Sequence, residues 1–328
     1  MKSIFISLIF LCFALNSYNQ VIKGTVYDFK DKSPLPYAYV YIGGTMVVTT
    51  TDKDGFFTLD VSRYPGIPVT ISALGYYQFT LQNYQKSEPL KVFLTPKVVE
   101  LEEVVITDKS LEKLRKEYLR TFRAAFLGKT SNGLLSTIIN EEDLHFIYKS
   151  RDTIKAYATR PLKIENSGLG YNVTYFLEEF EYIRRDDTFY FFGNILFEED
   201  LNTDESLRKR YEWRRKKAFL GSKMHFFRSL WNNSLDSSGY QITNSSGNRL
   251  DYDDIITDDD GTFKYMWYPG ELIIFYQTSV PAGNIYFKKD PLLFDKSGFF
   301  DPLNVTWAGN ISDQRIGDWL PYEYNPPQ

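Results

Sequence analysis

Short apolar–polar alternations separated by turn residues fill residues 21–96, and this pattern restricts the fold more than any other feature of the chain. Apolar side chains recur at every second position, as at Phe57, Leu59 and Val61, which is the period of a strand with one buried face. Asp-Lys-Asp-Gly at 52–55 and Pro-Gly at 65–66 supply turn residues between such segments. About seven short strands without a helical period predict a small antiparallel β-sandwich over residues 20–96.

Four motifs occur in order within this predicted sandwich. They are Gly24-Thr-Val-Tyr-Asp, Pro36-Tyr-Ala-Tyr-Val, Thr50-Thr-Asp-Lys-Asp-Gly-Phe-Phe and Ser72-Ala-Leu-Gly-Tyr-Tyr. Together they resemble the carboxypeptidase regulatory-like domain, a transthyretin-like sandwich that is common at the front of secreted and outer-membrane proteins of the Bacteroidetes. Despite the family name, the resemblance implies an accessory domain that carries no catalytic residues.

Residues 1–19 are predicted to be an export signal. Lys2 gives a positive start, and residues 4–15 are apolar except for Ser7, which is too short for a transmembrane helix of roughly 20 residues. The only cysteine, Cys12, lies in this segment, so the mature chain is expected to have no disulfide and no thiolate metal site. No later apolar run reaches spanning length. We therefore expect a protein of the periplasm, the outer-membrane periphery or the cell surface, without a transmembrane span.

Residues 97–109 are predicted to be a linker, with Val-Val-Glu-Leu-Glu-Glu-Val-Val-Ile-Thr at 98–107. This sequence resembles the segment that leads into the plug of TonB-dependent outer-membrane receptors. As a TonB-box-like peptide it would pair as an extra strand with an energy-coupling protein. We favour a simple tether, because the residues that follow do not show the pattern of a transmembrane barrel.

Residues 110–328 are predicted to form a β-rich α+β domain with two main helices and a β-meander. The first helix carries one apolar stripe at spacings of three and four, formed by Leu111, Leu114, Tyr118, Phe122 and Phe126. The second helix is predicted over residues 204–232, with a break near Gly221, a basic first half and an apolar second half. The predicted strands lie within residues 144–158, 162–165, 171–182, 188–197, 240–275, 284–287, 303–307 and 311–319.

Two stretches of this second domain resemble an uncharacterised Bacteroidetes family in which the same sandwich comes first. One begins Pro161-Leu-Lys-Ile-Glu-Asn-Ser-Gly-Leu-Gly, and the other begins Arg210-Tyr-Glu-Trp-Arg-Arg-Lys-Lys. This resemblance implies a shared architecture and no particular activity.

Signatures of common hydrolases do not occur in the sequence. The two histidines, His145 and His225, lie in neither His-Glu-x-x-His nor His-x-x-Glu, and Gly-x-Ser-x-Gly is missing. We therefore predict no catalytic residue, no cofactor-binding residue, no metal ligand and no cofactor, and interpret both histidines as core or interface residues. An unrecognised hydrolase that uses one of them as a base is the alternative.

Two charged stretches remain open to interpretation. Residues 251–260 contain six aspartates, which indicate either solvated turns or a calcium site that lacks the EF-hand spacing. Residues 208–217 contain seven basic residues and one acid. They predict either a solvated helix face that pairs with those acidic turns, or contact with anionic lipid headgroups or a partner's acidic patch. The formal net charge of −4 argues against a nucleic-acid partner.

The leading functional hypothesis is a non-catalytic, exported adaptor that binds an outer-membrane or periplasmic protein. The second hypothesis is a glycan- or peptide-binding module. It rests on the aromatic content of 17% and on exposure of Trp213, Trp267 and Trp307 as stacking platforms.

Overall fold

The computed structural model describes residues 20–82, 84, 89–97, 108–147, 152–201 and 204–327. The predicted export signal at 1–19 and the TonB-box-like sequence at 98–107 lie outside the described residues.

The first domain is a seven-stranded sandwich. Its strands are β1 Val21–Asp28, β2 Tyr39–Ile42, β3 Val48–Thr50, β4 Phe56–Asp60, β5 Val69–Ser72, β6 Phe79–Leu81 and β7 Leu90–Leu94. They form two sheets, with strand orders β4-β1-β7 and β3-β2-β5-β6. The alternation in β4 is confirmed, because Phe57 and Leu59 are buried and their neighbours are exposed. The sandwich is not wholly antiparallel, since β1 and β7 pair in parallel after the chain has passed through the other sheet.

The middle of the chain forms a six-stranded sheet covered by helices. Its elements are α1 Asp108–Phe126, α2 Ser131–Leu134, β8 Ser136–Ile138, β9 Leu144–Ile147, β10 Thr153–Ala158, β11 Leu162–Asn166, β12 Tyr171–Ile183, β13 Thr188–Glu199 and α3 Glu205–Phe219. Strand β13 follows one edge of β12 along its length, while β11 and β10 lie end to end along the other edge. The predicted stripe of α1 packs on this sheet, with Tyr118, Phe122 and Phe126 buried.

The remaining elements have a hydrophobic core of their own. They are α4 Lys223–Trp231, β14 Tyr240–Asn244, β15 Arg249–Leu250, α5 Tyr252–Ile255, β16 Ile256–Asp259, β17 Lys264–Met266, β18 Glu271–Tyr276, β19 Pro281–Phe287, β20 Leu292–Phe294 and β21 Val305–Ala308. A five-stranded sheet, β15-β14-β18-β19-β21, and a three-stranded sheet, β16-β17-β20, enclose this core. Helix α4 fills it with Phe226, Phe227 and Leu230. Residues 110–328 therefore contain two cores, within the β-rich α+β class that the sequence predicted.

Two local predictions in this part are wrong. Residues 311–319 do not form a final strand but two 3₁₀ helices, Asn310–Ser312 and Ile316–Asp318. A Cβ on Gly317 would lie 2.5 Å from the Cα of Gly133, so a tight turn brings the two backbones together. The predicted turn at 251–254 is instead mostly the short helix α5, whose start is closed by a hydrogen bond from Asp251 N to Asp254. Two further 3₁₀ helices span Glu141–Asp143 and Pro302–Asn304.

The hairpin between β2 and β3 joins the sandwich to the middle sheet. Gly44 N donates to Ile195 O at 2.8 Å, and Phe197 N donates to Thr45 O at 3.1 Å, so the hairpin tip extends the edge of β13. Gly44 is required here, because its φ is +79° and a Cβ would lie 2.4 Å from the ring of Tyr322. Since backbone hydrogen bonds fix the register of paired strands, this junction sets the orientation of the sandwich on the rest of the chain.

Candidate interaction surface

Helix α3 packs on the core of the middle sheet through Ala218 and Phe219 and begins at a defined cap. The carboxylate of Asp204 accepts hydrogen bonds from Ser206 N at 2.8 Å and Leu207 N at 3.2 Å. These bonds satisfy amide groups that the first turn of a helix leaves unpaired. They also lower the pKa of Asp204, for which the Ser206 side chain is the main cause.

The inner face of α3 is held by a buried arginine. The guanidinium of Arg215 donates to Leu169 O at 2.7 Å, to Gly170 O at 2.9 Å and to the carboxylate of Glu199 at 2.5 Å. It also lies 4.0 Å from the ring centre of Tyr171. One of the seven basic residues predicted as a solvated run is therefore a structural anchor on β12 and β13.

The C-terminal tail binds Glu212, the only acidic residue among the basic residues at 208–217. The hydroxyl of Tyr324 donates to the carboxylate of Glu212 at 2.8 Å. The amine of Lys216 donates to the carbonyl of Pro327 at 3.2 Å. These contacts place Glu212 at the side of the helix, away from its outer face.

The outer face of α3 combines two apolar side chains with four cations. It consists of Lys209, Arg210, Trp213, Lys216, Lys217 and Leu220, all exposed, and we call it the α3 surface. At 100° per residue, Trp213 and Leu220 fall on its midline, with two cations on either side. Trp213 leaves 64% of its surface accessible, and the amine of Lys217 lies 5.5 Å from its ring centre. A tryptophan offers a large apolar ring together with an N–H donor, a combination enriched at interfaces.

The charges of the α3 surface are poorly neutralised by the protein. Lys209 pairs with Glu205 at 2.7 Å, and both side chains are largely exposed. Among the described residues, no carboxylate lies within salt-bridge distance of Arg210, Lys216 or Lys217. The predicted pairing of the basic run with the acidic turns is not found there, because the ion pairs of α3 run to Glu205 and Glu199.

The two histidines lie in different parts of the fold and contact aromatic side chains. His145 stacks on its cross-strand neighbour Tyr157, with ring centres 5.3 Å apart. His225 Nδ1 accepts from Gly221 N at 3.2 Å, and the hydroxyl of Tyr240 also lies 3.2 Å from it. Burial lowers the pKa of His225 to about 4, with a smaller contribution from the charge of Arg228. Within the described ranges neither histidine has a hydrogen bond to a carboxylate, so no acid–base pair is assembled there.

The three tryptophans of the stacking hypothesis differ in accessibility. Trp213 is exposed, whereas Trp267 and Trp307 are half-buried. Trp307 packs edge-on against Phe226 and Phe227, in the core that α4 fills. Of these three tryptophans, Trp213 is therefore the one with a ring open enough for a sugar to stack on.

Within the acidic stretch at 251–260, Asp260 stabilises the turn that follows it. The carboxylate of Asp260 accepts from Thr262 N at 2.8 Å and from Phe263 N at 2.7 Å, and the second of these bonds is the main reason that its pKa is lowered. In the part of the chain that the structure describes, no group of three or more His, Asp or Glu side chains is placed to hold a metal ion.

The sequence predicted the basic run but missed the composition of its outer face. Counting charges alone hid the fact that Trp213 and Leu220 share a helical face with Lys209 and Lys216. A helical projection of residues 209–220 contains that signal. The same projection places Arg215 on the opposite face with Tyr211 and Phe219, but it does not show its partners, the carbonyls of Leu169 and Gly170, which are far away in sequence.

Comparison with known proteins identifies the first domain. Residues 22–106 match the family model of the CarboxypepD_reg-like domain, which includes the sandwich and most of the predicted linker. A search among curated proteins finds no match. In the described residues no helix is both long and apolar enough to cross a membrane. Domains of this type are non-catalytic and typical of envelope proteins. The sandwich at the front of this chain is thus a CarboxypepD_reg-like domain.

Proposed function

We propose that the protein is a non-catalytic binding module of the bacterial envelope, which acts at the outer membrane or cell surface. The α3 surface carries this proposal, because it places four cations beside an exposed tryptophan, and Lys209 is the only one of the four with a carboxylate within salt-bridge distance among the described residues. The family match of residues 22–106 supports a non-catalytic role for the sandwich. The contacts of both histidines give no support to a hydrolase in the second part.

The junction explains how such a module would work as one unit. Hydrogen bonds from Gly44 to Ile195 and from Phe197 to Thr45 fix the sandwich on the middle sheet. The guanidinium of Arg215 fixes α3 on the same sheet. A partner bound at the α3 surface is therefore held at a constant orientation relative to the CarboxypepD_reg-like domain, as an adaptor requires.

Photo-crosslinking in the native cell tests this function. A photoreactive residue replaces Leu220 on the α3 surface, and a matched control replaces Lys53, which is exposed on the sandwich. We expect the protein in the envelope fraction and crosslinks from position 220 to an envelope component, with few from position 53. Recovery in the cytoplasmic fraction, or turnover of peptides or glycans by the purified protein, would contradict the proposal.

A glycan-binding module is the second candidate function, and the 64% exposure of Trp213 favours it. Sugar stacking on a tryptophan depends on contact with the ring and little on salt. Titration with soluble cell-surface glycans would then show binding that Trp213→Ala removes and that high salt leaves intact. Binding that salt abolishes argues against this candidate.

A further inference from the structure

We propose that the α3 surface docks flat onto the anionic headgroups of a lipid bilayer. Trp213 and Leu220 enter the headgroup layer, and the four cations beside them contact lipid phosphates. This inference rests on the proposed function and names the envelope component that the module binds.

The geometry of the α3 surface suits a plane. From Lys209 to Leu220, the residue that follows the last helical one, it extends for about 16 Å along α3. The two apolar side chains form its midline and the cations its two margins, so a flat anionic surface would meet the apolar side chains and the cations together. The inner face is fully used by the protein, because Tyr211, Arg215 and Phe219 are buried. Docking therefore needs no rearrangement of the helix.

The chemistry of the side chains also favours lipid over an acidic protein patch. Three of the four cations are lysines, whose long apolar stems let the amine reach a phosphate while the stem stays in the headgroup layer. Arginine is the cation suited to pairing with a carboxylate through two parallel hydrogen bonds, and only one of the four, Arg210, is an arginine. Tryptophan is enriched at membrane interfaces, where its apolar ring and its N–H are both accommodated. The amine of Lys217 lies beside the ring of Trp213, so both would reach the same depth in the headgroup layer.

Vesicle binding by the protein purified after export tests the inference. The probes are vesicles of phosphatidylglycerol and phosphatidylcholine in equal parts, and vesicles of phosphatidylcholine alone. Each lysine near an anionic surface contributes about fivefold in affinity, so the double reversal Lys216→Glu/Lys217→Glu should weaken binding more than about 25-fold. Its matched control is Lys53→Glu/Lys91→Glu, which changes net charge equally on the exposed sandwich and should retain binding to within about twofold.

Trp213 is tested separately, because its contribution is apolar. Trp213→Ala should weaken binding about tenfold. Phosphatidylglycerol with brominated acyl chains should quench part of the tryptophan emission of the parent protein. That quenching should be lost in Trp213→Phe, a variant that keeps an aromatic ring and the charges. Equal thermal unfolding of all variants excludes misfolding as the cause.

Three results overturn the inference. The first is equal binding to both kinds of vesicle, and the second is an equal loss in the control reversal. The third is no vesicle binding together with a crosslink from position 220 to an envelope protein, which leaves the proposed function standing with a protein partner. Absence of the protein from the envelope fraction would instead remove the proposed function itself.

Discussion

Helices α3 and α4 arise from one stretch of sequence, yet the protein uses them in opposite ways. Helix α4 is an internal element, with Phe226, Phe227 and Leu230 fully buried. Helix α3 buries a narrow face and leaves Trp213 and its neighbouring cations in solvent. Gly221, with φ at +80°, lies between the two helices and interrupts the helical backbone. The buried side chains of α4 therefore stabilise the fold, whereas the exposed Trp213 of α3 is available to bind a partner.

Each of these helices also has an arginine that anchors distant backbone. Arg215 of α3 binds two carbonyl groups and the carboxylate of Glu199. Arg228 of α4 binds the carbonyl oxygens of Ser297, Tyr322 and Tyr324. Because Tyr322 and Tyr324 belong to the C-terminal tail, Arg228 holds this tail on α4. The hydroxyl of Tyr324 in turn donates to Glu212 of α3.

The largest expected effect is on the core of α4. Phe227 is fully buried, with ring centres 5.2 Å from Phe294 and 4.7 Å from Phe300. Phe227→Ala should lower the free energy of unfolding by about 4 kcal/mol, because it leaves a cavity among these rings. Urea denaturation measures it. The control Leu220→Ala, at an exposed position, should change it by less than about 0.5 kcal/mol. Equal losses in both variants would break the contrast between the helices.

Removing the arginine of α4 should have the next largest effect. Arg228→Met retains much of the stem but removes donors at 2.8, 2.7 and 3.0 Å from three carbonyl oxygens. We expect a loss of about 3 kcal/mol in the free energy of unfolding, since charged hydrogen bonds are lost together. Faster amide exchange in residues 320–327 should accompany it. Arg210→Met on the α3 surface is the control, and a comparable loss there would contradict the assignment.

Acid should weaken the α4 region through His225. Its pKa lies at about 4, below the ordinary value of 6.5, so the unfolded chain binds the proton first. The contribution to stability is therefore complete above pH 6.5 and is lost as pH falls towards 4. Because His225 is partly exposed, we expect the free energy of unfolding to fall by only about 2 kcal/mol over this pH range. His225→Asn should flatten this part of the pH profile of unfolding. An unchanged profile in His225→Asn would refute the assignment.

A smaller effect is expected at the break between the helices. Gly221→Ala places a Cβ at φ +80° and 3.0 Å from the ring of Tyr276. We expect about 1 kcal/mol of destabilisation from the left-handed backbone of a non-glycine residue. Thermal unfolding measures it. Gly247→Ala is the control, since that glycine has a similar φ of +79° but no atom within 4 Å of its Cβ position, so it should show the backbone cost alone and the difference between the two variants should report the contact with Tyr276. A larger loss of stability in Gly247→Ala than in Gly221→Ala would contradict this prediction.

The smallest effect on stability should occur on the α3 surface. Trp213→Ala removes a side chain that is 64% exposed and should change the free energy of unfolding by less than about 0.5 kcal/mol. Urea denaturation of Trp213→Ala and Phe226→Ala in parallel would sharpen the comparison, because Phe226 is fully buried. A loss of several kcal/mol in Trp213→Ala would show that this ring supports the fold.

Much of the local structure followed from periodicity. The stripe of α1 predicted Tyr118, Phe122 and Phe126 as core residues, and all three are buried. The extents of β9 to β13 within the described residues agree with the predicted strands to within a few positions. Near Gly221 the predicted break is confirmed, because glycine is the residue that most readily adopts a positive φ.

The elements that sequence reasoning missed are those fixed by distant partners. Strand β8 pairs with β11, and β20 pairs with β17, so each of these three-residue strands depends on an edge formed elsewhere in the chain. At residues 311–319 the apolar spacing suggested a strand. The contact of Gly317 with Gly133 and the hydrogen bond from Thr130 to Asp318 favour tight turns instead.

Periodicity, turn residues and charge are local properties, so the sequence alone predicted the CarboxypepD_reg-like sandwich, the β-rich α+β class and the position of a strongly basic helix. Which cations of that helix are buried and which are exposed depends on tertiary contacts. Arg215 is buried because the carbonyls of Leu169 and Gly170 meet it, while Lys216 and Lys217 stay in solvent. The same long-range packing joined Gly44 to β13 and left Trp213 exposed, since burial depends on what the rest of the chain brings to each face.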